Sequence, residues 1–312
     1  MAALVRRISA SMPSVIVIDK FFGTVECADD INPALIAAIS DVSAKVPVVV
    51  GRVVMEGGYL KPSLFGELPG LHDSIVNIDR DPRKLPLEWL VFPTMADMER
   101  SEGLSWRETL ALTAAKSYEH ERFLERHPRL AQILKSPTMH PYISFLDMDQ
   151  FRQFRFLASY VLCGHEVKFG EDVTACPASS QALAALSGKI VLIGDVTNED
   201  EHLSVVGPIP GTYMQANFIE ALLDDRYYEG SPVLDYVLGF LFLASIETIL
   251  VVFRNSWTQK LGAIGILVLA MLFLLYIVIT DFHRYVNPVP FIALALLLRA
   301  LAANLPYFRE KT

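Results

Sequence analysis

Long apolar runs, short β-branched runs and amphipathic stretches divide this chain, and the long runs come last. From Val233 it reads VLDYVLGFLFLASIETILVVF, 21 residues with only Asp235 and Glu247 charged. After the polar RNSWTQK comes LGAIGILVLAMLFLLYIVIT, 20 residues with no charge. A third run, PVPFIALALLLRALAANL, follows DFHRYVN and carries only Arg299. Crossing a hydrocarbon core of about 30 Å takes about 20 helical residues. The runs therefore predict three membrane spans over 233–253, 261–280 and 288–305, with a short tail at 306–312.

Residues 1–232 carry shorter patterns. Leu4–Ser11 reads as the end of a helix, and VIVID (15–19) as a buried parallel strand ending in an acid. Pro33–Ala44 places Leu35, Ile36, Ile39 and Val42 at helical spacing, with Pro33 suited to a first turn. VPVVVGRVV (46–54) is a second strand, so the geometry expected is a parallel crossover. Residues 55–97 are rich in Gly and Pro, and only LHDSIVNID reads clearly, as a strand. Ser105–Lys135 reads as charged and helical. YISFLD (142–147) and KIVLIGD (189–195) are further strands, Ser179–Leu186 a short helix, and FRFLASYVL a helix or strand. PIPGTYMQANFIEALLDDR (208–226) predicts a loop and then an amphipathic helix. The fold class expected is an α/β domain with a mostly parallel central sheet, followed by a three-helix transmembrane region.

Composition supports that split. Of 312 residues 52% are hydrophobic, and mean hydropathy is +0.36. The net charge is -8. From Val233 onward six bases (Arg254, Lys260, Arg284, Arg299, Arg309, Lys311) face four acids (Asp235, Glu247, Asp281, Glu310), or +2, which leaves -10 on residues 1–232. Such an acidic domain argues against nucleic acid as a partner, because phosphates would be repelled.

Basic residues near span ends stay on the cytoplasmic side. Arg254 and Lys260 in the first loop, with Arg309 and Lys311 in the tail, predict that this loop and the C-terminus lie inside and residues 1–232 outside. No apolar run of signal-peptide length precedes Pro232. Either the chain is truncated at its start, with an anchor upstream, or residues 1–232 are cytoplasmic.

Four acids form the best chemical cluster. Asp19 and Asp195 end predicted parallel strands, and Asp29 and Asp30 lie in the loop after the first. Ligands of α/β sheets usually sit in the crevice outside the carboxyl ends of the strands. These acids are candidates to face a cation or a cationic ligand there, or a phosphoryl-type metal site. Their bland alternative is capping of turns and helices. No G-x-S-x-G, P-loop or dinucleotide fingerprint accompanies them, so no catalytic residue, metal or cofactor is expected. His120 and His127 lie seven apart, where ligand pairs on a helix more often lie three or four apart, and are expected on a solvated face.

Outside the cytoplasm Cys163 and Cys176 could close a 14-residue disulfide loop, contributing roughly 3 kcal/mol by chain entropy. Buried free thiols are the alternative, and Cys27 is left over. Within the spans, Glu247 lies roughly 21 Å and Arg299 roughly 17 Å from the outer face. Charges at these depths are costly alone, so an intramembrane ion pair is expected. Snorkelling of Arg299, with Glu247 meeting a partner protein, is the alternative.

VIVID with its acidic loop, helix and VPVVV resembles the first half of a type-2 CHASE domain. YISF resembles that family's middle strand. LSGKIVLIGDV, then PIPGTYMQANFIEALLDDR, then three spans, resemble its ending. The resemblance covers most of 13–53 and 142–305 and leaves 55–140 open. It implies a bacterial sensory protein of the inner membrane, multi-pass, with residues 1–232 extracytoplasmic. It implies signal transduction through a partner signalling protein or a second copy, with an unknown small ligand.

The chain also departs from the family pattern. An anchor helix and a segment with Asp and Trp, usual in the family ahead of VIVID, are missing, so the resemblance implies a chain truncated at its start; Gln215-Ala216 stands where His-Ala is usual. Only PYFREKT follows the third run, so no output domain and no enzymatic activity are expected. The competing readings are a membrane-bound α/β enzyme using the Asp19/Asp195 crevice and an envelope structural protein.

Overall fold

The computed structural model describes residues 1–21, 31–65, 67–135, 140–146, 155–164, 180–196, 200–253 and 255–286. Contacts divide the chain into two units, Met1–Tyr227 and Tyr228–Thr312. The first unit opens with α1 (Ala2–Ala10), β1 (Val15–Phe21), α2 (Ile31–Ser43), β2 (Val48–Arg52) and β3 (Leu71–Ile75). Next come β4 (Glu88–Val91), α3 (Met95–Arg100), β5 (Ser105–Glu108), α4 (Leu110–Glu119), α5 (Phe123–Arg126) and α6 (Pro128–Ile133). β6 (Tyr142–Ile143), α7 (Ala158–Cys163), α8 (Ser180–Leu186), β7 (Ile190–Ile193), β8 (Glu201–Ser204), β9 (Gly207–Pro210) and α9 (Gly211–Leu223) follow.

The central sheet has the order β3-β2-β1-β7, and every neighbouring pair in it is parallel. Parallel strands are covered on both faces, which is why VIVI and VVV are apolar throughout rather than alternating. Side chains still point alternately up and down. Val15, Val17 and Val49 pack with Leu110, Leu112, Met214 and Phe218 from α4 and α9. Ile16, Ile18, Val48 and Val50 pack with Leu4, Val5, Ile8, Leu35 and Ile39 from α1 and α2. The N-terminal helix is thus part of the core.

The structure corrects several expectations. Ser105–Glu108 is a strand, antiparallel to β4 with Trp89 opposite Arg107, and the helix begins only after Thr109, whose Oγ1 accepts from Leu112 N at 3.4 Å. Residues 207–210 form a strand rather than a loop, paired with β8 from Glu201↔Pro210 to Ser204↔Gly207. Pro208 and Pro210 sit in this isolated ribbon, where missing N–H groups cost least.

In the second unit β10 (Tyr227–Gly230) pairs in parallel with β11 (Arg284–Tyr285), Glu229 opposite Arg284. Between them run α10 (Pro232–Val252) and α11 (Trp257–Thr280). Each starts on a serine: Ser231 Oγ accepts from Leu234 N and Ser256 Oγ from Gln259 N. The second cap recruits Trp257–Lys260 into the helix ahead of the expected start at Leu261. Both helices are long and apolar enough to cross a membrane. Leu234 and Leu238 pack with Met271, Leu275 and Val278. The described residues thus hold two candidate spans where the sequence reading expects three; the third, 288–305, falls outside them.

Candidate functional site

The carboxyl ends of the central strands form one wall of a cleft. Ile18 pairs with Val50, but the next partner of Gly51 is Phe21, so Asp19 and Lys20 form a bulge on β1. Bulges re-aim side chains and favour sheet rims beside functional sites. The bulge needs a small neighbour: a Cβ at Gly51 would meet Val76 Cγ1 at 2.3 Å and the Lys20 carbonyl oxygen at 3.3 Å. Alternation carries Asp19 to the Val17 side of the sheet, the side that α9 covers.

The opposite wall is the start of α9. Thr212 Oγ1 donates to the Asp195 carbonyl at 2.9 Å. A Cβ on Gly194 would lie 1.9 Å from that hydroxyl, so glycine is what lets the helix approach β7. A Cβ on Gly211 would meet Asp200 Oδ2 at 2.6 Å, so the same close approach seats the β8–β9 ribbon. One turn on, Gln215 Nε2 donates to the Val76 carbonyl at 3.1 Å. The cleft between these walls measures about 710 Å3 and is lined by Asp19, Lys20, Asn77, Asp79, Arg80, Asp195, Asp200, His202, Leu203 and Gln215 among others.

Most of its polar groups are matched within the fold. Lys20 Nζ donates to Asp195 Oδ2 at 3.2 Å. His202 Nε2 meets Asp200 Oδ1 at 3.1 Å. Asp79 Oδ2 meets His140 Nδ1 at 2.8 Å, and its Oδ1 accepts from Asp81 N at 2.9 Å. Asn77 clips the chain after β2, its Oδ1 accepting from Val54 N and its Nδ2 donating to Val54 O.

Two acceptors are not matched. Asp19 Oδ2 and Gln215 Oε1 are buried with no hydrogen-bond partner. Burial pushes the Asp19 carboxyl up to about 6, the Thr212 hydroxyl opposes the shift, Asp200 adds to it, and His202 and Lys20 oppose it. Geometry commits the single Thr212 proton to the Asp195 carbonyl, so Asp19 keeps an unsatisfied oxygen.

A second cleft of about 700 Å3 includes Arg52, Asp73, Ser74, Arg107, Glu108 and Thr113 in its lining. Arg52 pairs with Asp73 at 3.6 Å, and Ser74 Oγ donates to Thr113 Oγ1, which donates to Glu108 Oε2. Among the described residues that line it, the one buried side-chain atom left without a partner is a donor, Arg52 Nε, where the Asp19 cleft leaves two acceptors unmatched.

The structure therefore brings Asp19 and Asp195 into one cleft, while Asp29 and Asp30 lie outside the described residues. Cys163 is disulfide-bonded, and Cys176 lies outside the described residues. Glu247 is exposed on α10, and Arg299 lies outside the described residues. His127 is not on a solvated face. It is 5% exposed, with Nδ1 3.0 Å from Asp225 Oδ1 and Nε2 3.2 Å from Glu119 Oε2. Among the described residues no three side chains gather as metal ligands.

Sequence reasoning missed Asn77, Asp79, Asp200 and His202, which no local pattern marks. It noticed Gln215 only as a departure from a usual histidine. A model of the CHASE2 domain matches residues 1–253, including the stretch 55–140 that resemblance left open. No match is found among curated proteins or among solved structures.

Proposed function

Because this chain belongs to the CHASE2 domain family, a family of sensory extracellular domains, we propose that it is a membrane-anchored sensor. Its Asp19 crevice receives a small ligand outside the cytoplasm. The observation that carries this reading is the pair of buried, unpartnered acceptors, Asp19 Oδ2 and Gln215 Oε1, in a cleft of about 710 Å3. A fold that leaves polar atoms unpaired sacrifices stability, and such sites are where function is sought. Two helices long and apolar enough to span a bilayer support the anchor. We further propose that residues 1–232 lie outside a bacterial inner membrane and that three spans carry the signal to a partner signalling protein or a second copy. The chain acts by binding, without turnover.

The test uses the full chain in lipid nanodiscs and thermal unfolding against a library of small metabolites. The rim substitutions Arg80→Trp and Leu203→Trp then narrow the cleft. Stabilisation by a ligand, lost in the rim variants, supports the reading; ligand stabilisation indifferent to both rim variants contradicts it. A second reading, an enzyme using the same crevice, is favoured by the Asp19 carboxyl near 6, where a general acid or base works well. Chemical conversion of a stabilising ligand would identify it.

A further inference from the structure

The crevice is selective about what it lacks. Asp79, Asp195 and Asp200 each meet a cationic or N–H group of the protein, namely His140, Lys20 and His202. Asp19 does not, and its Oδ2 has no donor. Gln215 is 2% exposed. Its orientation is fixed because Nε2 must face the Val76 carbonyl, so Oε1 is the atom left over. Asp19 lies on the β1 bulge and Gln215 on the first turns of α9, the layer packed on that face of the sheet. Both unmet atoms accept and neither donates, so the missing complement is a hydrogen-bond donor, and a carboxylate adds a preference for one that carries positive charge. A bare divalent ion fits less well, since no three metal-ligating side chains converge among the described residues.

We propose that the crevice recognises the protonated amine of a small organic ligand, whose N–H groups donate to Asp19 Oδ2 and Gln215 Oε1. The inference rests on the crevice being the ligand site. An ammonium brings three N–H donors and a positive charge, which match in kind the two acceptors that line the cleft. Neutral alcohols of the same length lack the charge, and dicarboxylates would meet Asp19, Asp79, Asp195 and Asp200 with like sign.

The test is calorimetric titration of the full chain in nanodiscs with methylamine, ethanolamine and 1,4-diaminobutane. Succinate and 1,4-butanediol serve as same-length controls, over wild type, Asp19→Asn, Gln215→Leu and Arg80→Trp. At least one amine is expected to bind at pH 7.5 and the controls not. Affinity should fall at least tenfold in Asp19→Asn and in Gln215→Leu, each with an unchanged circular dichroism spectrum. Equal amine affinity in either folded variant overturns the proposal, as does failure of all three amines. A non-amine metabolite whose binding the rim variant abolishes would overturn the amine assignment and leave the crevice standing. Amine binding indifferent to Arg80→Trp would overturn the crevice reading itself.

Discussion

Gln215 Nε2 donates to the carbonyl of Val76 at 3.1 Å, joining the start of α9 to the chain that leaves β3. The bond fixes which amide atom faces the protein and which is left over. Gln215→Ala should cost about 1 kcal/mol, the usual net worth of such a bond. Gln215→Glu removes the same donor and adds a carboxylate on the layer facing Asp19, so at pH 7.5 it should cost more than Gln215→Ala. Urea midpoints for the two variants check this, and equal midpoints would place the residue 215 side chain away from Asp19.

Gly194 is close-packed rather than turned: a Cβ there would overlap Thr212 Oγ1 at 1.9 Å. Gly194→Ala should destabilise by about 1–3 kcal/mol through overpacking. Thr212→Ala in the same chain removes the overlapping hydroxyl and should recover part of the loss. A purely additive double variant would show that the crowding lies elsewhere.

Both ring nitrogens of His127 face carboxylates, Asp225 at 3.0 Å and Glu119 at 3.2 Å. Asp225 Oδ1 also accepts from Tyr227 OH at 2.8 Å. His127→Ala leaves these acids without their shared partner and opens space beside Phe123, whose ring centroid is 4.7 Å away. A loss of roughly 2–3 kcal/mol is expected, read as a fall in Tm.

Arg254 and Lys260 carry the proposed topology. A reporter fused after Ser256 should read cytoplasmic, and one at Thr312 likewise; a periplasmic reading at either contradicts the three-span arrangement. Exchanging Glu247 and Arg299 should restore part of what either alanine variant loses in membrane yield, whereas additive losses would count against their pairing.

Much of the fold was legible because its signals are local. VIVI and VVV announce a sheet buried on both faces, and α10 and α11 announce themselves by length. Ser105–Glu108 was not legible, since Trp106 and Arg107 sit on a half-exposed ribbon with no clean alternation. Asp19 and Asp195 could be placed because the carboxyl ends of parallel strands open onto one crevice. Their neighbours could not. Gln215 meets Val76 across 139 positions of sequence, and His127 meets Asp225 across 98. Nor does any sequence period reveal the bulge that sets Asp19 and Lys20 against β2.

The most direct test is unfolding free energy against pH for wild type and Asp19→Asn. Burial lifts the Asp19 carboxyl from 3.8 to about 6 in the fold. Between those values the folded state holds the proton that the unfolded chain releases, so wild-type stability is full below the lower value and declines as pH rises through the upper. Asparagine stays neutral throughout. Asp19→Asn should therefore match wild type near pH 4 and be more stable at pH 7.5, by up to about 3 kcal/mol. Two curves that run parallel across that range would mean that Asp19 is solvated or already paired, and the crevice would lose the group on which its function is argued.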